Sequence, residues 1–380
     1  MTALAAAIFW AASLVLAWVY IGYPLLTLAW ARLRPVRLRR ELAPPSLLTI
    51  GVAVHDAGAE VEERIADIIA QKYDGALEII IASDGSTDET IAVARGIAES
   101  DDRVRLLQLP RVGQSSAQGA IFDAADGDIV VLTDVETRFT PGFLTALLAP
   151  FADPRVGCTT GVLRWRYDHQ SDTAHHEGLY WRYEQAVRRW ESRAGWLAAA
   201  TGAMLAARRS VYRPVPAHAS LDQMLPLLAR AAGLLVLAVP EAVGIDRGSS
   251  SATEQLRSRV RIATQGIEAN LRMARRITPW RRPGPALAIW SHKTLRWLTP
   301  LLVVLAALSA VALVLLGQPA FLLPVAAIVI SLALAVIGLV ARRGGRLSPL
   351  LTFPLTVLTV NAAFALGWLN VLLRRRIRRW

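Results

Sequence analysis

No charged residue occurs between Thr2 and Trp30, and most positions in that run are apolar. A helix needs about 20 such residues to cross a bilayer, so the run predicts a membrane anchor. Five arginines, Arg32, Arg34, Arg37, Arg39 and Arg40, follow the apolar stretch. A cleaved signal peptide carries its charge in front. The observed order predicts a retained anchor over 1–40 with its C-terminal end in the cytoplasm.

Residues 41–254 alternate two periodicities. Leu47–Val54, Leu77–Ala82, Val104–Leu109 and Asp128–Leu132 are short apolar runs, as in strands buried on both faces. Between them, Glu60–Gln71, Asp88–Ser100 and Gln114–Ala125 have helical spacing. This alternation predicts an α/β domain with a Rossmann-like, mostly parallel sheet, whose ligands bind at the carboxyl ends of the strands. From 255 to 296 the chain is rich in arginine, with Trp280 and Trp290, as suits a basic helical segment along the headgroup layer. Three apolar segments near 297–316, 320–340 and 350–373 predict a helical membrane region over 297–380. Pro349, Pro354, Asn361 and Gly367 leave two courses open for the last segment, a simple span or a broken, re-entrant one.

The charge follows this division. The chain has 380 residues, with 42 basic against 30 acidic and a formal net charge of +12. Its mean hydropathy of +0.37 excludes disorder and an ordinary soluble domain. A nucleic-acid binder would hold its excess charge on a folded face. Here residues 41–256 carry 19 basic and 29 acidic residues, a net of −10, and the excess lies in basic collars beside the apolar runs. No nucleic-acid partner is expected; a membrane is. With the middle inside, three C-terminal crossings would leave the closing arginines outside, against the positive-inside bias, whereas Arg342, Arg343 and Arg346 fit the inside after two. Cys158 is the single cysteine, which excludes an intramolecular disulfide framework and fits a reducing compartment.

Three acidic sites are candidates for chemistry. Asp84 ends the apolar run of IIIASDGSTDE, placed to accept a hydrogen bond from a ligand; the structural alternative is a turn and helix cap. Asp134 and Glu136, two apart after DIVVL, would face the same way in extended chain and could share one hard cation. Mg2+ takes few protein ligands and completes its shell with phosphate and water, so such a pair suits a metal–diphosphate site. Asp222 lies in an apolar neighbourhood before a helix, as an N-cap or a general base. His55, His169, His175, His176, His218 and His292 are scattered without zinc spacing. No phosphate-binding glycine loop or serine-nucleophile elbow occurs. Arg257, Arg259 and Arg261 suit either lipid headgroups or a departing diphosphate.

Taken in order, these segments resemble the membrane-bound family 2 glycosyltransferases, GT-A fold enzymes related to cellulose, hyaluronan and poly-N-acetylglucosamine synthases. The resemblance runs through YIGYPLL, SDGSTD, TDVET, APFADPRVG, EGLYWRYE, TGAMLAARRSVYRP, LDQMLPL, VPEAVG and LRSRVRIATQG. It implies that Asp84 contacts the base or ribose of a nucleotide sugar and that Asp134 and Glu136 form the D-x-D that holds nucleotide and Mg2+ or Mn2+. It further implies that Asp222 is the general base of an inverting transfer, and that Arg257 and Arg261 bind the nucleotide sugar. The acceptor would be a glycan or a lipid. The setting would be the bacterial inner membrane, multi-pass and with the catalytic domain in the cytoplasm, beside polysaccharide-export partners.

Several positions depart from the family pattern. Val54-His55-Asp56-Ala57 stands for its N-Y-N-E, Ser83 for the first acid of D-D-G-S, and Gln114 and Gly119 for a Lys and an Asn. Leu221 replaces the acid before the base, and RSRVR occupies the place of the processive Q-x-x-R-W. The rival expectations are a non-catalytic subunit that kept the fold and a component of a polysaccharide conduit.

Overall fold

The computed structural model describes residues 1–39, 41, 43, 45, 47–166, 178–247, 252–341 and 348–375. His169, His175, His176, Arg342, Arg343, Arg346 and the last five residues of the chain lie outside the described residues.

Helix α1, Thr2–Leu33, is 32 residues long and includes a π-helical turn at Trp18–Gly22. Leu4, Trp10, Leu14, Ile21 and Leu25 are exposed on its side, an apolar exterior suited to lipid. The connection that follows is pinned to the body: Val36 N–H donates to Arg193 O at 2.7 Å and Arg39 N–H to Asp153 Oδ2 at 2.8 Å.

The body is built on an eight-stranded sheet of order β3-β2-β1-β4-β7-β6-β8-β5. Strands β1 (Leu47–Val54), β2 (Ala76–Asp84), β3 (Val104–Leu109) and β4 (Ile129–Thr133) are parallel, joined by helices α2 (Gly58–Ile69), α3 (Thr90–Ser100) and α4 (Gln114–Ala124). Successive residues of β2 enter opposite cores. Ile79 and Ile81 pack with Ile65 and Ile68 of α2, while Ile80 and Ala82 pack with Ile121 and Phe122 of α4. Both faces are covered, which is why LEIIIA reads as a continuous apolar run. Helix α3 starts at Thr90 rather than Asp88 because the Asp88 carboxylate stays outside the helix and accepts the Thr90 N–H at 3.0 Å.

The second half mixes directions. After β5 (Arg138–Phe139) and α5 (Phe143–Leu148), β6 (Val156–Arg166) pairs parallel with β8 (Leu235–Arg247). Strand β7 (Leu205–Arg208) is antiparallel to both β4 and β6, and β5 is antiparallel to β8. Helix α6 (Gly178–Ala194) precedes β7, α7 (Leu221–Ala231) precedes β8, and α8 (Ala252–Met273) follows it.

Toward the C-terminus lie α9 (Pro283–Trp297), α10 (Thr299–Leu315), α11 (Leu322–Ala341) and α12 (Pro349–Leu372). Among the described residues three helices are long and apolar enough to cross a membrane, and the bent pair α9–α10 makes a fourth if it counts as one span. Helix α12 is continuous from Pro349 to Leu372. Its Pro349 occupies the first turn, where a missing N–H costs nothing. Asn361 is satisfied, with its amide on Val357 O and its Oδ1 accepting from the Thr299 hydroxyl, both at 2.8 Å. The break falls instead between α9 and α10, which meet at a 58° bend. The far end of α12 rests on α8 and on the end of α9: Asn370 Nδ2 donates to Thr264 Oγ1 at 3.3 Å, and Trp368 Nε1 to Trp297 O at 3.1 Å.

Candidate active site

Parallel strands pointed the same way bring β1, β2 and β4 to one edge, where His55, Asp84 and Asp134 emerge. Asp84 is fully buried. Its Oδ1 accepts Val112 N–H at 2.6 Å, and both its oxygens lie 3.0 Å from Gly113 N. Gly113, at φ +94°, adopts a backbone that side-chain-bearing residues avoid. The Asp84 carboxylate is thereby engaged with the loop 111–113 along this edge. His55 Nδ1 lies 3.0 Å from Asp84 O, and Asp56 Oδ1 accepts Thr87 N–H at 2.7 Å, so the end of β1 is tied to the SDGSTD turn.

Asp134 follows β4 directly. It is partly buried, and Asp246 of β8, Asp222 of α7 and Glu136 surround it, with Arg261 of α8 opposing them. Burial first, then the charges of Asp246 and Asp222, push its pKa up to about 6. Glu136 does not lie on extended chain beside it, as the spacing suggested. Residues 134–137 form a turn, in which Thr137 N–H approaches Asp134 O at 3.4 Å and Glu136 is exposed. Arg138 pins that turn by donating to Val135 O at 2.7 Å and Thr137 O at 3.3 Å. The turn thus separates a half-buried Asp134 from an exposed Glu136.

Asp222 stands in the first turn of α7, where the Ser220 hydroxyl donates to its Oδ1. Gly202 backs it so closely that a Cβ added there would lie 3.0 Å from Asp222 Oδ2. Arg261, on α8, brings an opposing charge to bear on Asp134, so part of the basic stretch from 255 lies beside these acids. Arg257, one turn earlier on the same helix, is exposed.

Two residues of this neighbourhood were not found by sequence reasoning. Asp246 ends the apolar run AVGI much as Asp84 and Asp134 end theirs, and that signal was available. Arg64 carried no usable signal, because it falls on the apolar stripe of α2 beside Val61, Ile65 and Ile68. It is fully buried, paired with Asp67, stacked 3.9 Å from the Phe139 ring centroid, and donates to Thr133 Oγ1 at 2.7 Å.

Among the described residues no three His, Cys, Asp or Glu side chains form a ready-made metal cluster. The hard oxygens of Asp134 and Glu136 fit a divalent cation that takes its remaining ligands from phosphate and water.

This sheet, with acids at its strand ends and a basic helix beside them, is a GT-A fold. Residues 49–215 match the profile for Glycosyl transferase family 2, and this segment is a family 2 glycosyltransferase domain. The chain is 28% identical over 216 residues to an N-acetylglucosaminyltransferase of Rhizobium leguminosarum bv. viciae, covering 52% of this chain and 50% of the relative. It is 26% identical over 254 residues to an N-acetylglucosaminyltransferase of Sinorhizobium fredii, covering 62% and 61%. The chain thus spans about half to three fifths of the length of these curated relatives. A mannosyltransferase of Pyrobaculum calidifontis, solved in complex with GDP-Man and Mn2+, superposes with a TM-score of 0.71 over 97% of this chain and 99% of that one, at 21% identity. That likeness establishes the fold.

Proposed function

We propose that this chain is a membrane-tethered glycosyltransferase that moves one sugar from a nucleotide-diphosphate sugar to a hydroxyl of a glycan or lipid acceptor, with inversion at the anomeric carbon. The observation that carries the proposal is the meeting of Asp134 and Asp222 beside Arg261, from β4, α7 and α8. One acid close to a second acid and a guanidinium suits a reaction that takes a proton on one side and releases a diphosphate on the other.

Asp222 accepts the proton of the acceptor hydroxyl as its oxygen attacks the anomeric carbon. The bond to the diphosphate breaks, and the leaving group departs with the electron pair. Arg261, with Arg257 at the rim, meets the charge that develops there. Asp134 and Glu136 would hold Mg2+ or Mn2+, which when bound supplies further positive charge to the diphosphate. Asp84 shapes the nucleotide side through the loop 111–113 that it holds.

The proposed divisions are an anchor at 1–40, a catalytic domain at 41–254, a basic segment at 255–296 and a membrane region at 297–380. The basic collars support a catalytic domain on the cytoplasmic face of a bacterial inner membrane. The contact of Asn370 with Thr264 supports the same side for Arg374 and Arg375, one turn further on. The names of the rhizobial relatives support UDP-N-acetylglucosamine as the first donor to test, and cell-envelope polysaccharide synthesis as the setting.

The test is a screen of radiolabelled nucleotide sugars, UDP-N-acetylglucosamine first and GDP-mannose second, on membranes containing the protein, with product sizing. Transfer of label to lipid or glycan in a divalent-cation-dependent manner is expected. If no nucleotide sugar yields transfer or hydrolysis, the fold serves a non-catalytic subunit.

A further inference from the structure

A buried polar cluster lies outside the site, where α1, α6 and α9 meet. The Tyr23 hydroxyl of α1 donates to Glu191 Oε1 at 2.6 Å. His292 of α9 stands between two carboxylates of α6, with Nδ1 2.8 Å from Glu191 Oε1 and Nε2 3.1 Å from Glu184 Oε2. Arg296 Nη1 reaches the same Glu184 oxygen at 2.6 Å, and Lys293 Nζ reaches Oε1 at 3.4 Å. Tyr23, Glu184, Glu191, His292 and Arg296 are all buried. Burial alone would raise the Glu184 carboxyl, but His292, Lys293 and Arg296 overcome it and hold it well below the usual carboxylate range.

From Glu184 the contacts continue inward. Arg188, one turn along α6, has Nε 3.8 Å from Glu184 Oε1. Its Nη1 donates to Thr201 Oγ1 at 3.1 Å and its Nη2 to Ala200 O at 3.0 Å. Thr201 N–H is held by Thr160 Oγ1 at 2.9 Å. The next residue is Gly202, which abuts the Asp222 carboxylate.

Two physical considerations make this more than ordinary packing. Buried charges are a weak source of stability, since apolar replacements often serve as well, so their use here favours one specific geometry. In addition, α1 and α9 each carry a π-helical turn at the cluster, Trp18–Gly22 and Ile289–Thr294, joined by the Trp18 Nε1 bond to Ser291 Oγ at 3.0 Å. Such turns are rare and often occur at functional sites.

We propose that Arg188 is a positioning residue through which the seating of α1 and α9 in the bilayer sets the Ala200–Gly202 segment, and through it Asp222. This rests on the reading of Asp222 as the base. The cluster fixes Glu184, Glu184 orients Arg188, and Arg188 fixes the backbone against which the Asp222 carboxylate is braced. Release at any joint lets that backbone drift, and a drift of about 1 Å at a reacting group costs up to about 100-fold in rate.

The experiment uses the full chain in phosphatidylethanolamine–phosphatidylglycerol vesicles, as wild type and as Arg188→Ala, Arg188→Lys, Glu184→Gln and Thr201→Val. Hydrogen exchange over residues 199–204 is read without ligand, and transfer from UDP-N-acetylglucosamine is read on host membranes. Arg188→Ala and Glu184→Gln are expected to speed exchange in that segment and to lower kcat about tenfold, with donor KM changed less than about twofold and Arg188→Lys recovering part of the loss. Thr201→Val, which replaces the hydroxyl that accepts from Arg188 by a methyl of similar size, should show a smaller shift in the same direction. Exchange unchanged in both Arg188→Ala and Glu184→Gln would overturn the coupling, as would kcat and donor KM deteriorating together without rescue by lysine. Should wild type transfer no sugar, the reading of Asp222 fails, while exchange still decides whether the cluster governs the segment.

Discussion

Asp222, in the first turn of α7, helps to raise the pKa of Asp134 at the end of β4, so the acid assigned to the acceptor side and the acid assigned to the metal share one electrostatic environment. Removing charge on one side therefore has consequences on the other.

The first consequence is a pH dependence of metal binding. Asp134 titrates near 6, and a proton there competes with a cation. Mn2+ affinity of the isolated protein should fall about tenfold per pH unit below that value. Calorimetric titrations between pH 5 and 8 check this, and a flat profile would remove Asp134 from the metal site. The sign for stability is the reverse. A carboxyl whose pKa is raised from 3.8 to about 6 contributes stability that is fully present below about pH 4 and lost as pH rises through 6.

Arg261 opposes the acids around Asp134, and its charge holds that pKa down. Arg261→Ala should move the pH limb of Mn2+ binding upward and weaken nucleotide-diphosphate binding by about 1.5–3 kcal/mol, the usual worth of a charged hydrogen bond. Arg257→Ala, on the exposed turn of the same helix, should weaken binding less and leave the limb in place. Parallel titrations with UDP separate the two.

Asp222→Asn should lower transfer by about 100- to 10,000-fold, the range for loss of a general base, while UDP binding in the presence of Mn2+ stays near wild type. Gly202→Ala should act on the same group more gently. Its methyl would come 3.0 Å from Asp222 Oδ2 and shift the carboxylate by a few tenths of an ångström, lowering kcat by roughly tenfold. Steady-state kinetics that show either variant losing donor affinity instead would reassign Asp222.

Arg64→Met removes a buried guanidinium that pairs with Asp67 and bonds Thr133 just behind Asp134. Breaking a fully buried pair costs about 3–5 kcal/mol, and the cost here should fall toward or below the lower end because Asp67 is partly exposed and keeps the Phe139 N–H. The variant should therefore unfold at markedly lower denaturant, and any folded fraction should bind Mn2+ more weakly because Thr133 and Phe139, at the two ends of the 134–137 turn, lose their shared support. A stability within about 1 kcal/mol of wild type would show that the site can rearrange around the loss.

Much of the candidate site could be read from local pattern. Asp84 and Asp134 were singled out because an apolar run of strand length ends on an acid, and strand ends in parallel sheets are where ligands bind. Asp222 was found as an acid at a helix start, although its bracing by Gly202 was not. Asp246 ends an apolar run in the same way. Arg64 was hidden, since a charge on a buried helical stripe looks like a break in the pattern until Thr133 and Phe139 are seen against it. The C-terminal helices were less legible. Prolines left a continuous and a broken course open for 349–372; the helix there is continuous, and the bend lies between Trp297 and Thr299. Pro349 falls in the first turn, where a helix tolerates it.

The sequence by itself determined the apolar N-terminal helix, the order of strands and helices in the first half of the sheet, the basic collars and the positions of three candidate acidic sites, because hydrophobic period, strand length and charge placement are properties of neighbouring residues. The tertiary structure alone decided which charges meet. It set Asp246, Asp222 and Arg261 around Asp134, turned Glu136 outward on a β-turn, and joined Tyr23, Glu191, His292 and Glu184 into one cluster. Those contacts span distant parts of the chain. Electrostatic interaction depends on distance and burial in space, and neither is encoded in the spacing of residues along the sequence.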